Sequence, residues 1–299
     1  MKFIKQISTH NENQKRPYTL IIPAYNEGAV IGGVIRELGS PSGCAEIIVV
    51  DDGSSDNTAK VAAENGARVV YHQHNRGNGA AIKTGICSAK TEIVIIYDAD
   101  GQHRPEDLEK IAKESPYYDM VVGARDKKSQ KDWARVPGKM VLEVFANILS
   151  GYKIPDLTSG LRSFKVSVIK KYLHLMPDGF SMPTTSTIAL IKMGYAVKYI
   201  PIVAKNRLGR KSSVKIFRDG FGVMILILNL VVLFNPQRVF LPISLFFLSL
   251  GAVYFIAYSF IYRVHLTPSM LLLIMTGIIL FFMGIICEHV SAIHRELHK

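Results

Sequence analysis

Tyr97-Asp98-Ala99-Asp100-Gly101-Gln102-His103, directly after the apolar run Ile93-Val94-Ile95-Ile96, decides how the rest of the chain is read. A short apolar run bounded by a turn signal predicts a strand buried on both faces, as in a parallel sheet. Side chains alternate along a strand, so Asp98 and Asp100 point the same way at its carboxyl end. Open α/β sheets bind ligands at that edge. Two converging carboxylates repel unless a cation lies between them. Hard oxygen ligands suit Mg²⁺ or Mn²⁺, whose remaining ligands are commonly substrate phosphates. A bare Asp-x-Asp reads more readily as a solvated turn before a helix, which Arg104-Pro105-Glu106 would start well. The surrounding sequence decides between these readings.

Upstream, residues 18–22 read as a strand closed by Pro23, and Asn26 as the N-cap of a helix over about 27–38. Residues 46–50 form a second strand ending in Asp51-Asp52-Gly53. Ser54-Ser55-Asp56 then cap a helix that runs to Asn65, where Gly66 ends it. A third strand at 67–71 leads to the turn Arg76-Gly77-Asn78-Gly79, which opens a helix to about residue 89; the strand at 92–97 follows. Strand–helix alternation of this kind is the signature of a doubly wound parallel sheet. Downstream come a helix at 105–114, a strand at 120–123 and an amphipathic helix at 133–149 broken by Pro137-Gly138. A helix at 183–193 and a late strand at 196–200 complete the pattern.

The 299 residues are 48% hydrophobic, too apolar for a purely soluble enzyme, and the excess is local. Residues 239–262 and about 268–288 carry apolar runs of roughly 20 or more residues, enough to cross a hydrocarbon layer about 30 Å thick. Neither shows the polar stripe of a core helix. The short link Arg263-Val264-His265-Leu266-Thr267 makes them a hairpin, so both flanks lie on one side. Most of the +12 net charge precedes Arg238, which places the large N-terminal flank and both termini in the cytoplasm. No nucleic-acid partner is expected. The apolar run 221–234 is too short to span and follows Lys211, Lys215 and Arg218, as an interfacial helix would. The N-terminal stretch is polar, without the apolar core of a signal peptide. Cys44, Cys87 and Cys287 have no metal-site spacing. The chain therefore divides into a tail (1–16), an α/β catalytic domain (17–210), interfacial helices (211–237) and a transmembrane hairpin with a short cytoplasmic tail (238–299).

Pro23-Ala24-Tyr25-Asn26-Glu27, Asp51-Asp52-Gly53-Ser54-Ser55-Asp56 and Asp98-Ala99-Asp100-Gly101-Gln102-His103 occur in this order. With them the chain resembles glycosyltransferase family 2, in particular the membrane-bound subgroup that includes dolichol-phosphate mannose synthase and bacterial polyprenyl-phosphate glucosyltransferases. Residues 75–85, Asp156-Leu157-Thr158-Ser159-Gly160-Leu161-Arg162 and residues 207–215 match the same subgroup. The resemblance covers about residues 20–215 and implies a GT-A fold, a Rossmann-like, mostly parallel sheet. It departs from the pattern at Met182-Pro183-Thr184-Thr185-Ser186-Thr187, where such transferases often carry an acidic residue, and in the number of spanning helices.

The resemblance implies a nucleotide-sugar donor held by Pro23, Ala24, Tyr25, Glu27, Asp52, Lys83, Asp98, Ala99 and Asp100. Tyr25 would cover the base, Glu27 would meet ribose or base, and Asp52 would accept a base N–H. From the residues alone Asp52 fits helix capping equally well. Backbone N–H groups at the start of the 78–89 helix are expected to receive an anion. Asp98, Asp100 and Gln102 would hold Mg²⁺ or Mn²⁺ on the diphosphate, with His103 behind them or starting a helix. The implied acceptor is a polyprenyl phosphate, already largely ionised because its second pKa is about 6, so it needs cations more than a base. Arg125, Arg135, Lys139, Arg207, Ser213 and Lys215 form the expected acceptor-phosphate set, Arg forks matching phosphate oxygens well. Asp100, Asp156 and Arg162 are the expected catalytic residues; the role of Asp156 (base, sugar-hydroxyl acceptor or loop organiser) stays open. Trp133 reads equally as membrane-surface or core residue.

The expected reaction is inverting transfer of a hexose, glucose or mannose, from a UDP- or GDP-sugar to the lipid phosphate. One alternative is direct addition to a glycan or polysaccharide; processive synthases carry Gln-x-x-Arg-Trp, however, and Trp133 follows Asp132. A second is a non-catalytic membrane adaptor that binds nucleotide sugars, against which the intact Asp98, Asp100, Asp156 and Arg162 argue. Homo-oligomers through the hairpin are compatible with this reading.

Overall fold

The computed structural model describes residues 16–125, 147, 151–152, 154–179, 181–205, 222, 225, 228–229, 231–262 and 267–297. Seven strands form one sheet among them: β1 (Tyr18–Ala24), β2 (Cys44–Asp51), β3 (Arg68–Tyr71), β4 (Ile93–Ile96), β5 (Met120–Arg125), β6 (Arg162–Lys165) and β7 (Val197–Ile202). Their order is β3-β2-β1-β4-β6-β5-β7. All run parallel except β6, which lies antiparallel to both β4 and β5. The connecting helices are α1 (Gly28–Leu38), α2 (Thr58–Glu64), α3 (Asn78–Ser88), α4 (Pro105–Glu114), α5 (Val166–Ile169) and α6 (Met182–Lys192). Two long helices follow, α7 (Gln237–Tyr262) and α8 (Pro268–Leu297).

By its contacts the chain falls into two compact units. The first comprises Met1–Gln130, Ser159–Phe180 and Tyr195–Ser212 and holds the entire sheet; the second comprises Lys131–Thr158, Ser181–Gly194 and Ser213–Lys299. Within the first, alternation on β1 splits the core. Leu20 and Ile22 join Ile31, Val34 and Ile35 of α1 and Leu108 and Ile111 of α4. Ile21 points the other way and meets α3, where a Cβ on Gly85 would overlap it. Each such aliphatic side chain contributes about 1.5–3 kcal/mol on burial, less the entropy of ordering it.

Four local expectations change. β1 continues through Pro23, which pairs with Val50 of β2. The β1–β4 register ends at Ile21↔Ile96, so the proline lies where β1 has one neighbour and its missing N–H is tolerated. Asn26 does not cap α1. It adopts φ 55° and its side chain faces the next loop, while Glu27 takes the cap position without a side-chain bond. α2 begins at Thr58, its first N–H received by Asp56 Oδ1 at 3.0 Å. β6 had no counterpart in the sequence reading. By contrast α4 has the expected bounds, with Pro105 in its first turn, Glu106 and Asp107 at its positive end and Lys113 at its negative end.

In the second unit α7 and α8 pack against each other through small residues. A Cβ on Gly277 would come within 2.6 Å of Leu248 Cγ, and one on Gly251 within 2.8 Å of Ile274. Ser244 Oγ donates to the Gly277 carbonyl at 2.8 Å. The outward faces are apolar, with Phe260 87% and Leu272 69% exposed. Water would penalise such a surface heavily, whereas lipid does not. Both helices are long enough to span, over Gln237–Phe260 and Pro268–Ile293, and α8 runs past the expected end at 288. The helix expected at 133–149 lies outside the described residues except for Asn147, as does most of the interfacial segment.

Candidate active site

The carboxyl ends of β1, β2 and β4 meet where the strand order reverses around β1, the place open α/β sheets present to ligands. The loops after β1 and β2 are stitched together. Asp52 N donates to Ala24 O at 2.9 Å, Asn26 N to Ser54 Oγ at 2.8 Å, and Ser55 N to Asn26 Oδ1 at 2.7 Å. Glu27 N donates to Thr58 Oγ1 at 2.9 Å and Gly28 N to Asp56 Oδ2 at 3.1 Å. The left-handed turn at Asn26 is what aims its amide at Ser55. Pro23 and Ala24 lie in β1; Tyr25 is exposed and Glu27 buried at the helix start.

Asp52 is a buried hub. Its Oδ1 accepts Arg76 N at 2.9 Å and contacts His72 Nδ1 at 2.7 Å; its Oδ2 accepts Gly77 N at 2.8 Å. It therefore organises the loop before α3 and caps no helix. Gly53 closes the same junction: at φ 73° a Cβ there would lie 2.6 Å from the His74 carbonyl carbon, so only glycine fits without strain.

The start of α3 overturns one expectation. Two of its first N–H groups are already taken, Gly79 N by Gly179 O at 3.2 Å and Ala80 N by Asp178 O at 3.0 Å. Lys83 Nζ reaches Met176 O at 3.0 Å and pairs with Asp178. The segment 176–179 thus fills the helix terminus with protein carbonyls, leaving those N–H groups no role toward an anion, and Lys83 anchors that segment.

Asp98 follows β4. Its side chain is 33% exposed, and its Oδ2 contacts His103 Nε2 at 3.3 Å. Burial pushes the carboxyl's pKa up, but the His103 hydrogen bond and the charges of His103, Arg125 and Arg162 outweigh this and hold it below the usual range. Arg162, 1% exposed, starts β6 opposite Ile96 of β4 and Val122 of β5; its Nε donates to Ser159 O at 3.0 Å. Gly160 lies flush against Asp98, where any Cβ would overlap the carboxylate. Ala99 is buried, and Asp100 Oδ1 accepts Gln102 N at 3.1 Å. Lys205 N donates to Gln102 O at 2.8 Å.

No three His, Cys, Asp or Glu side chains cluster as a metal site among the described residues. A cation here would rest on the Asp98 and Asp100 carboxylates, the Gln102 amide oxygen and oxygens of a ligand. An ionised, partly open Asp98 fits Mg²⁺ or Mn²⁺, which characteristically take one or two carboxylates plus phosphates. His103, 4% exposed, keeps Nδ1 without a hydrogen-bond partner among the described residues, and its ring stands edge-on to Tyr97 at 5.4 Å between centroids.

Asp156 belongs to the second unit, fully buried, its Oδ1 accepting Thr158 N at 3.1 Å. Arg135, Lys139, Arg207, Ser213, Lys215 and Trp133 lie outside the described residues. The sequence reading missed His72 and the contact of Gly160 with Asp98. A histidine ending a short strand carries no signal of its own, whereas Gly160 stood in a motif already singled out.

Residues 19–173 match the family model described as glycosyl transferase family 2, and residues 235–293 match that of the GtrB C-terminal hairpin. An uncharacterized protein of Methanocaldococcus jannaschii is 38% identical over 208 residues, covering 66% of this chain and 85% of its own. The UDP-N-acetylglucosamine–dolichyl-phosphate N-acetylglucosaminyltransferase of Methanococcus voltae is 35% identical, covering 50% and 70%. The dolichyl-phosphate hexose transferase of Haloferax volcanii is 28% identical, covering 64% and 83%. Glucosyl-3-phosphoglycerate synthase from Mycobacterium tuberculosis, solved with Mn²⁺, UDP and glucosyl-3-phosphoglycerate, shares the fold at a TM-score of 0.58 and 20% identity over 72% of this chain and 80% of that one. The same synthase was also solved with Mg²⁺ and UDP. The chain belongs to glycosyl transferase family 2, as a membrane glycosyltransferase that ends in a GtrB-type hairpin.

Proposed function

We propose that this enzyme transfers one hexose from a nucleotide sugar to a polyprenyl phosphate, with inversion, at the cytoplasmic face of the membrane. The observation that carries the reading is Asp98, ionised and partly open after β4 at the switch point of a family 2 sheet, with Asp100 buried two residues on. The spanning hairpin and the relatives named for dolichyl- and undecaprenyl-phosphate transfer support a lipid acceptor. In this reading the catalytic unit and both termini are cytoplasmic, at the inner membrane if the source is bacterial.

Asp98, Asp100 and Gln102 would hold a divalent ion against the donor diphosphate; bound there, it neutralises charge on the departing nucleoside diphosphate. An oxygen of the lipid phosphate attacks the anomeric carbon from the face opposite the leaving group. The phosphate–sugar bond forms as the sugar–diphosphate bond breaks, and the electron pair leaves with the diphosphate. The attacking phosphate is already anionic, so the chain's task is alignment and charge balance. Tyr25, Glu27 and Asp52 serve the nucleoside. Arg162 acts from behind Asp98, keeping its carboxylate charged, while Arg125, Arg135, Lys139, Arg207, Ser213 and Lys215 are assigned to the lipid phosphate. Asp156 is assigned to the sugar or its acceptor.

The test incubates full-length enzyme in detergent with a short-chain polyprenyl phosphate, Mg²⁺ or Mn²⁺, and a panel of UDP- and GDP-sugars. A phosphodiester-linked lipid sugar from one donor is expected. Sugar transfer to a glycan with no lipid product from any donor would overturn the reading.

A further inference from the structure

Behind Asp52 lies a buried chain of polar groups that the transfer reaction does not use. His72, at the end of β3, contacts Asp52 Oδ1 through Nδ1 at 2.7 Å and Thr84 Oγ1 of α3 through Nε2 at 2.9 Å. Both side chains of the acid–imidazole pair are nearly sealed, at 4% and 3% exposure. The Arg76 and Gly77 N–H groups donate to the Asp52 carboxyl, and His72 Nδ1 lies 2.7 Å from its Oδ1. With the proton on Nδ1 the imidazole donates to Asp52, and the Thr84 hydroxyl can donate to Nε2.

We infer that His72, held in that tautomer by Thr84, is a positioning residue that keeps Asp52 an acceptor-only carboxylate and so selects donors whose base presents a ring N–H. An ionised carboxylate offers about four acceptor positions. Oδ1 uses its two on His72 and Arg76, and Oδ2 uses one on Gly77. One position on Oδ2 is left for a ligand. It can receive the ring N–H of uracil or guanine. The bare ring nitrogen of cytosine would bring a lone pair against the same oxygen, which is rejection by an unpaired acceptor rather than by shape. The inference rests on the reading that Asp52 meets the donor base.

The test measures dissociation constants for UDP, GDP and CDP by calorimetry on the full-length protein in detergent with Mg²⁺, for the wild type, His72→Phe, His72→Asn and Thr84→Val, with melting temperatures taken alongside. The wild type is expected to bind UDP or GDP at least about tenfold more tightly than CDP. In His72→Phe that preference collapses toward unity, because the carboxylate loses the donor that fixes it. In His72→Asn the amide N–H stands where Nδ1–H stood, and preference and affinity stay within about threefold of wild type. Should His72→Phe fail to fold, Thr84→Val gives the same reading without touching Asp52, with a loss of preference of about fivefold, outside the threefold band expected for His72→Asn. A folded His72→Phe protein with wild-type preference would overturn the inference. So would equal losses in the Asn and Phe variants, which would mark packing as the cause. A wild type that binds none of the three nucleotides would sink the nucleotide-sugar reading itself.

Discussion

Asp52 and Asp98 follow β2 and β4, the two strands that flank β1, yet the molecule treats their carboxylates in opposite ways. Asp52 is wrapped by two backbone N–H groups and an imidazole, all at 2.7–2.9 Å. Among the described residues Asp98 has one longer contact, at 3.3 Å to His103, and that hydrogen bond, with the charges of His103, Arg125 and Arg162, holds it ionised. Hydrogen bonds consume lone pairs; charges acting through space stabilise the same anion and leave its oxygens available. Asp52 is therefore left with one acceptor position for a ligand, whereas most of those on Asp98 stay open.

The largest effect expected from that difference is at Asp100, beside the open carboxylate of Asp98. Asp100→Ala should lower kcat about 10³-fold, and EDTA should abolish turnover in the wild type until Mg²⁺ or Mn²⁺ is returned, as measured by lipid-sugar formation. Full activity in EDTA would dissolve the distinction. Next comes Gly160→Ala, whose new methyl must displace the Asp98 carboxylate. Because a misplacement of about 1 Å can cost 10²-fold, kcat should fall by about that factor with little change in melting temperature. A smaller and different effect belongs to Asp52→Asn, which places an NH₂ or a weaker acceptor among three N–H donors. It should cost about 1–3 kcal/mol of stability and raise KM for the donor about tenfold, with kcat nearly unchanged. If Asp52→Asn depressed kcat as Asp100→Ala does, the two carboxylates would share one role. Smallest in activity is Gly277→Ala, far along the chain in the hairpin. Overpacking against Leu248 should cost about 1–3 kcal/mol of thermal stability in micelles while leaving turnover per folded molecule within about twofold.

How much of this was legible beforehand follows from the range of the interactions involved. Strands β1 to β4 and helix α4 were readable because apolar runs, Pro105 and the turn residues are local signals. The hairpin was readable for the same reason, length and composition sufficing. Alternation along a strand singled out Asp98 and Asp100, but β4 ends at Ile96 and Asp100 lies buried in the turn that follows, so strand alternation does not orient the two carboxylates. What failed was set by residues distant in sequence. Asn26 looked like a cap until Ser54 and Ser55, 28 and 29 residues on, claimed its backbone and amide. The start of α3 looked ready for an anion until Asp178 and Gly179 supplied carbonyls to it. β6 is four residues of mixed polarity, with Arg162 buried at its start, and only its two neighbours make it a strand. His72 acquires meaning only from Asp52 and Thr84 on other elements.

The reversed strand has one more consequence. Since β6 runs against β4 and β5, the chain departs from the sheet at Arg125 and re-enters it at Arg162 along a single border. A detour that leaves and returns beside the same doorway can be lengthened, shortened or exchanged without shifting any strand register, because loop closure grows only slowly more costly with length. A change of length in that detour is therefore compatible with an unchanged seven-strand order.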